Sequence, residues 1–104
     1  MRRLRRTPAL RELVRETRLD AGDLVLPIFV EAALDTPQPI DSMPGVSRQT
    51  VSGALSEAAE CLALAIPAML FFGIPAEKDA EGSGAWNPQG GVQQAISAIK
   101  AAHP

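Results

Sequence analysis

The chain has 104 residues, 46% of them hydrophobic and 21% charged, which fits one ordinary globular domain with enough apolar side chains for a core and excludes an intrinsically disordered chain. A net charge of -2 gives no global reason to expect a nucleic-acid binder, although seven of the eight arginines lie within the first 18 residues and the remainder is acidic. One cysteine, Cys61, excludes an internal disulfide, and a single histidine, His103, offers no metal-ligand spacing, so the composition points to a reducing, cytoplasmic setting.

The opening "MRRLRR" has the charge of a signal-peptide start, but the following "TPALRELVRETRLD" is charged throughout where an apolar stretch of roughly 7 to 15 residues is needed. In "TPALRELVRET", Thr7 is placed to cap a helix and Pro8 to occupy its first position, where a missing N–H costs nothing. Leu10, Leu13, Val14 and Thr17 then mark one side of a short helix. After a turn around Asp20 to Asp23, "LVLPIFV" (24–30) is short, nearly all apolar and rich in β-branched residues, the pattern of a strand buried on both faces; Pro27 withdraws one ladder donor from it.

From Glu31 to Ser47 the chain carries Pro37, Pro39, Pro44 and Gly45 without periodicity, which predicts a long irregular connection. A helix is expected from about Ser47, with Val51, Leu55, Ala58, Leu62 and Ala65 or Ile66 as its apolar stripe, ending at Pro67. "AMLFFGI" (68–74) reads as a second buried strand. In "NPQGGVQQAISAIKAAH", Asn87 is the expected cap, followed by Pro88, and Val92, Ala95, Ile96 and Ile99 form the stripe of a third helix. "CLALAIPAMLFFGIP", the longest apolar run, falls short of the roughly 20 residues that span a bilayer and is broken by Pro67.

Strands separated by helices predict parallel β/α construction. Two strands alone would leave two open edges and too little structure to cover both faces, so the sequence reads as an unfinished α/β pattern that stops where a third strand is due.

Short chemical motifs are scarce. "FFGIPAEKDAEGSGAW" (71–86) is glycine-rich, but G-x-G-x-x-G would need a third glycine at Asn87, no Gly-Lys pair exists for a P-loop, and Glu77, Asp79 and Glu81 would repel a phosphate. Cys61 lies at the flank of a helical stripe, the place of a small buried hydrophobe rather than a nucleophile. His103, beside Pro104, reads as solvated, and Phe29 and Phe72 as core residues on their strands, with a place facing a substrate cavity as the alternative in a complete barrel. The arginine cluster is open to three readings: a solvated terminus, an arm that wraps a neighbouring subunit, or a nucleic-acid contact.

Taken in order, "RRLRRTPALRELVRET", "LVLPIFV", "SMPGVSRQTV", "FGIPAEKDAEGSGAW" and "VQQAISAIKAAHP" resemble the successive N-terminal motifs of the porphobilinogen synthase (5-aminolevulinate dehydratase) family, along essentially the whole chain. The resemblance implies a (β/α)8 TIM barrel in which two 5-aminolevulinate molecules condense through Schiff bases on two lysines to give porphobilinogen, in tetrapyrrole (haem) biosynthesis. Such a barrel takes about 250 residues. The chain is therefore expected to be the N-terminal arm, residues 1–22, and a partial barrel, residues 23–104, holding the first two β/α units and cut before the third strand.

On that reading the metal-binding segment and the Schiff-base lysines lie beyond Pro104; catalytic, cofactor-binding and metal residues in this chain are none, and zinc or magnesium is implied only for the full-length family. The resemblance further implies a cytoplasmic homo-oligomer, an octamer in the family, assembled through the arm, with neither nucleic acid nor membrane as partner. The lysines present, Lys78 between Glu77 and Asp79 in a polar loop and Lys100 at the edge of the third helix, are not placed to attack a carbonyl. "FFGIPAEKDAEGSGAW" becomes the end of a barrel strand and its loop, with Gly82 and Gly84 relaxing the backbone and Trp86 burying its ring. Two departures stand out: Ala65 where the family usually has a glycine at a helix end, and Asn87 where it commonly has aspartate. The other class left open is a noncatalytic interaction or assembly domain derived from the same fold.

Overall fold

The computed structural model describes residues 2–104, so that only Met1 of the expected arm lies outside it. Thr7 opens the first helix as expected: its Oγ1 accepts the Leu10 N–H at 3.2 Å, and Pro8 takes the first position of α1, Pro8–Leu13. The helix is shorter than its pattern suggested and ends before Thr17. Its apolar side finds no cover, with Leu13 76% exposed. α1 rests on a preceding turn, Arg3–Arg5, where the Arg11 guanidinium donates to the Arg5 carbonyl at 2.9 Å. A second turn, Ala21–Asp23, is closed by a reciprocal cap between Asp20 and Asp23.

Beyond it stands one sheet of four strands: β1, Val25–Val30; β2, Gln38–Pro39; β3, Ser47–Gln49; and β4, Ala68–Gly73. The spatial order is β2-β3-β1-β4, with β1 parallel to both neighbours and β2 antiparallel to β3. The chain is thus mixed α/β, and two of its four strands were not expected. Ser47–Gln49 is a strand instead of the start of a helix, and it pairs with Phe29 and Val30. Its residues are all polar, so no alternation marks it. At Pro27 this side of β1 lies beyond β3 and is an edge, where a missing N–H is tolerated.

Two helices, α2 (Val51–Ala63) and α3 (Gly91–Ala102), cover one face of the sheet. Strand side chains alternate between faces, so Ile28 and Val30 point into the core with Ala54 and Ala95, flanked by Leu26, Met69, Phe71 and Ile99. Burial on both faces, expected for 24–30 and 68–74, is not found: Val25, Leu70 and Phe72 are 56%, 52% and 45% exposed. The helices form a layer on one side only. Nothing among the described residues covers the other.

The apolar stripe of α2 is also turned relative to expectation. Ala54, Ala58 and Cys61 are its buried residues, whereas Leu62 is 60% exposed. Small side chains allow α2 to lie close to α3 and the sheet, and the bulkier leucine takes the outer side. Thr50 caps the helix by accepting the Gly53 N–H at 2.9 Å. The other end is closed by two bonds, Ile66 N–H to the Cys61 carbonyl at 2.9 Å and Ala65 N–H to the Leu62 carbonyl at 3.2 Å. That pairing is a Schellman motif, and it sets Ala65 at φ 56°, the one non-glycine residue with positive φ among those described.

α3 begins later than expected. Asn87 does not cap it; its side chain accepts the Gln89 N–H and its carbonyl the Gly90 N–H, both at 2.9 Å, so that Asn87, Pro88 and Gln89 form a turn and Gly90 occupies the cap position. The first turn of α3 lies hard against the end of β4, where a Cβ at Gly73 would fall 2.8 Å from Val92 Cγ2.

The principal extents are 61 × 32 × 26 Å and the radius of gyration is 19.2 Å. A compact chain of this length has about 13 Å. The excess is the N-terminal segment, which projects away from the sheet with its arginines exposed.

Candidate functional site

The C-terminal ends of β1 and β4 open into a cleft of about 960 Å³, within the range of small-molecule sites. Four segments wall it: Ala32 and Ala33 after β1, the loop that leaves β4 at Gly73, the turn Ser83–Trp86 with its flanks, and the first residues of α3. The β1–β4 ladder continues to the rim, where the Ile74 N–H donates to the Val30 carbonyl at 2.8 Å. On the β3 side of the rim Arg48 meets Glu31 at 2.8 Å in a half-buried ion pair, which ties β3 to the exit of β1.

The glycine-rich stretch forms the most polar wall. Asp79 is its hub: one carboxylate oxygen accepts the N–H groups of Glu81 at 3.1 Å and Ser83 at 2.9 Å, and the other accepts the Ser83 hydroxyl. Those bonds, the Ser83 hydroxyl first, hold the Asp79 carboxyl below the usual carboxylate range. Gly82 takes the left-handed conformation at φ 66° that the reversal needs, whereas Gly84 does not. From the other side, Gln93 of α3 donates its amide N–H to the Ala85 carbonyl at 2.9 Å. Trp86 does not bury its ring, as had been expected; it is 67% exposed.

The two lysines lie at opposite ends of the sheet. Lys78 lines the cleft, and Lys100 lines a separate apolar groove between α2 and α3, beside the start of β4 at Ala68 and Met69. That groove also takes in His103, which is half-buried instead of solvated because its backbone N–H caps α3 at the Ile99 carbonyl, 2.8 Å away, and keeps the residue against the helix. Cys61 borders the groove at 4% exposure; burial foremost, then the charges of Glu57 and Glu60, push its thiol pKa up, the opposite of what a nucleophile needs.

Phe29 and Phe72 are register partners on β1 and β4 and stack at 5.3 Å between centroids and 22° between planes. They sit on the open face of the sheet, so the expected core placement is not realised. Among the described residues no group of three or more His, Cys, Asp or Glu side chains is placed to hold a metal ion, and the residues present do not make a ligand set for zinc or magnesium. No helix among them is long and apolar enough to cross a membrane.

Sequence reasoning missed Arg48 to Glu31 at the rim, which joins positions 17 apart, and Gln93 to Ala85 at the cleft, which spans only eight residues but joins a helix side chain to a loop carbonyl and leaves no local signature. Asp79 was legible in principle, since an aspartate followed by glycine and serine within four residues is the composition of a side-chain-closed turn.

Known proteins match this architecture closely. The family model described as Delta-aminolevulinic acid dehydratase matches residues 1–104. The enzyme of that name from Halalkalibacterium halodurans is 47% identical over 103 residues, covering 99% of this chain and 31% of its own length; that from Synechocystis is 44% identical, covering 99% and 32%. The crystal structure of delta-aminolevulinic acid dehydratase (porphobilinogen synthase) from Toxoplasma gondii in complex with its reaction product porphobilinogen superimposes with a TM-score of 0.91 at 35% identity, over 99% of this chain and 30% of that one. The chain spans about a third of the length of the curated relatives it matches.

Proposed function

The chain belongs to the delta-aminolevulinic acid dehydratase family, and on that premise we propose that it is the N-terminal part of a porphobilinogen synthase, an enzyme that condenses two 5-aminolevulinate molecules to porphobilinogen. The observation that carries this reading is the match of the family model to every residue from 1 to 104, and the superposition on the Toxoplasma gondii enzyme supports it. Residues 1–22 are the arm and residues 23–104 the first two β/α units of a (β/α)8 barrel, to which the β2–β3 hairpin is added at the exit of β1. The open sheet face with Phe29 and Phe72 is the barrel interior, and the cleft lies on the face where barrel active sites are built.

In this assignment the chain supplies walls and no reacting group. The Schiff-base lysines and any zinc or magnesium belong to other parts of the enzyme, where each lysine would form an imine with one substrate's ketone, releasing water, and so hold the two substrates for condensation. What these residues do is exclude water from one side of the site through stacked aromatic rings and present a shaped loop at its mouth. The arm, with its arginines free of the sheet, is the surface for assembly into a cytoplasmic homo-oligomer.

The test compares the natural polypeptide with the 104-residue chain. The natural polypeptide forms porphobilinogen from 5-aminolevulinate, read as the coloured adduct of the pyrrole with an aromatic aldehyde, and is trapped by borohydride in the presence of substrate. The 104-residue chain does neither. A stoichiometric borohydride-trapped adduct at Lys78 or Lys100, located by peptide mass mapping and lost on substitution by arginine, would move the chemistry into this chain. A natural polypeptide with no such activity would favour the noncatalytic assembly domain.

A further inference from the structure

Every residue from Ala76 to Trp86 except Ser83 is exposed, so the loop that walls the cleft has almost no apolar anchorage. Beyond the backbone bonds of the turn Ser83–Trp86, such as Ala85 N–H to the Gly82 carbonyl at 3.0 Å, two side chains tie it. Asp79 receives three donors from residues 81 and 83, and its own carbonyl accepts the Gly82 N–H at 3.3 Å. Gln93 holds the far half through the Ala85 carbonyl, and glycine at position 90 leaves room for it, since a Cβ there would collide with the Gln93 amide.

We propose that Asp79 and Gln93 are positioning residues that keep the loop after β4 preformed as a wall of the substrate cleft; this rests on the assignment of the cleft to a porphobilinogen synthase. Neither residue touches a reacting atom. An unlocked loop populates the binding-competent shape only part of the time, and apparent affinity falls by that fraction. Once substrate is bound the loop is ordered again and the chemical step proceeds from the same complex. The signature of losing the lock is therefore a raised KM with kcat largely kept.

Only a carboxylate offers two acceptor oxygens to these three donors. Asparagine at position 79 keeps one oxygen for the two backbone N–H groups and loses the acceptor facing the Ser83 hydroxyl, so it restores most of the lock; alanine restores none.

The experiment uses the natural polypeptide with Asp79→Ala, Asp79→Asn, Ser83→Ala and Gln93→Ala, each read by backbone hydrogen exchange across residues 79–86 and by steady-state kinetics with 5-aminolevulinate. In Asp79→Ala the Glu81 and Ser83 amides should exchange about 10-fold faster or more, because local opening sets their protection. KM should rise several-fold with kcat within about twofold, a split that uniform loss of binding produces. Asp79→Asn and Ser83→Ala, which each give up only the bond between the Asp79 side chain and the Ser83 hydroxyl, should fall between the parent and Asp79→Ala, and Gln93→Ala should loosen residues 84–86. Unchanged exchange in Asp79→Ala would overturn the lock. A fall in kcat at constant KM would overturn its role in binding. If the parent polypeptide makes no porphobilinogen, it is the functional assignment that fails, and the exchange data alone still decide whether Asp79 and Gln93 hold the loop.

Discussion

The two faces of the sheet are built from the same strands, one residue apart, and end in opposite conditions. Leu26, Ile28, Val30, Met69 and Phe71 lie under α2 and α3, whereas Val25, Phe29, Leu70 and Phe72 look out from the other side. Hydrophobicity does not distinguish them, and the open set holds the aromatic stack. The difference teaches that an apolar run in a parallel strand records how many layers the strand is made for, not how many its own chain supplies.

Substituting the covered face should have the largest effect. Ile28, 4% exposed, should lose about 2 to 5 kcal/mol as Ile28→Ala through transfer and cavity terms, measured as the urea midpoint of the natural polypeptide. A loss below about 1 kcal/mol there would mean that the helices do not pack this face tightly.

Next comes the open face, through association. The 104-residue chain on its own should sediment as dimers or larger species, because an uncovered apolar face and a free β4 edge invite contact. Phe29→Ser with Phe72→Ser should shift it toward monomer with helical circular dichroism retained. Monomer in the unsubstituted chain with a sharply cooperative thermal transition would erase the distinction between the faces.

A smaller effect is expected at the end of α2. Ala65 holds φ 56°, so Ala65→Gly should stabilise the natural polypeptide by up to about 1 kcal/mol, seen as a raised thermal midpoint. A neutral or lower midpoint would show that the C-terminal closure of the covering helix carries no strain.

The smallest effect lies in the exposed loop, where hydrogen bonding takes the place of packing. The folded state holds the Asp79 carboxyl below its ordinary value, so its contribution is fully present above the unfolded pKa of about 3.9. It is lost as pH falls through the lower folded value. Exchange of the Glu81 and Ser83 amides, corrected for intrinsic rates, should accelerate only below that range, and acceleration between pH 5 and 7 would contradict the assignment to Asp79.

The legible parts of the fold were those written in bulk and branching. "LVLPIFV" and "AMLFFGI" declare strands because β-branched and aromatic side chains suit a pleated, covered surface, and Thr7 declares a helix start because hydroxyl capping is local. β3 escaped notice because Ser47, Arg48 and Gln49 show no alternation; its partner on β1 lies 19 residues back in the register pairs Phe29 to Arg48 and Val30 to Gln49. The buried line of α2 was misread because Leu62 outweighs Ala54 on any hydrophobicity scale, yet the close approach of helix to sheet selects for size. Asn87 misled because the turn it makes with Pro88 uses the same side-chain acceptor as a helix cap. Of the site, the acidic, glycine-rich character of the loop could be read directly. The Gln93 tie could not, since nothing in a glutamine on a helix announces a carbonyl eight residues earlier.

The projecting N-terminal segment has an electrical consequence. Its seven arginines stand against only Glu12, Glu16 and Asp20, while the rest of the chain carries an excess of carboxylates. The molecule therefore carries a dipole, and its longest extent, 61 Å, is several times the Debye length of about 8 Å at physiological salt. Two copies approaching in dilute buffer experience a torque that turns the basic end of one toward the acidic flank of the other, and added salt removes the torque before it touches a single apolar contact.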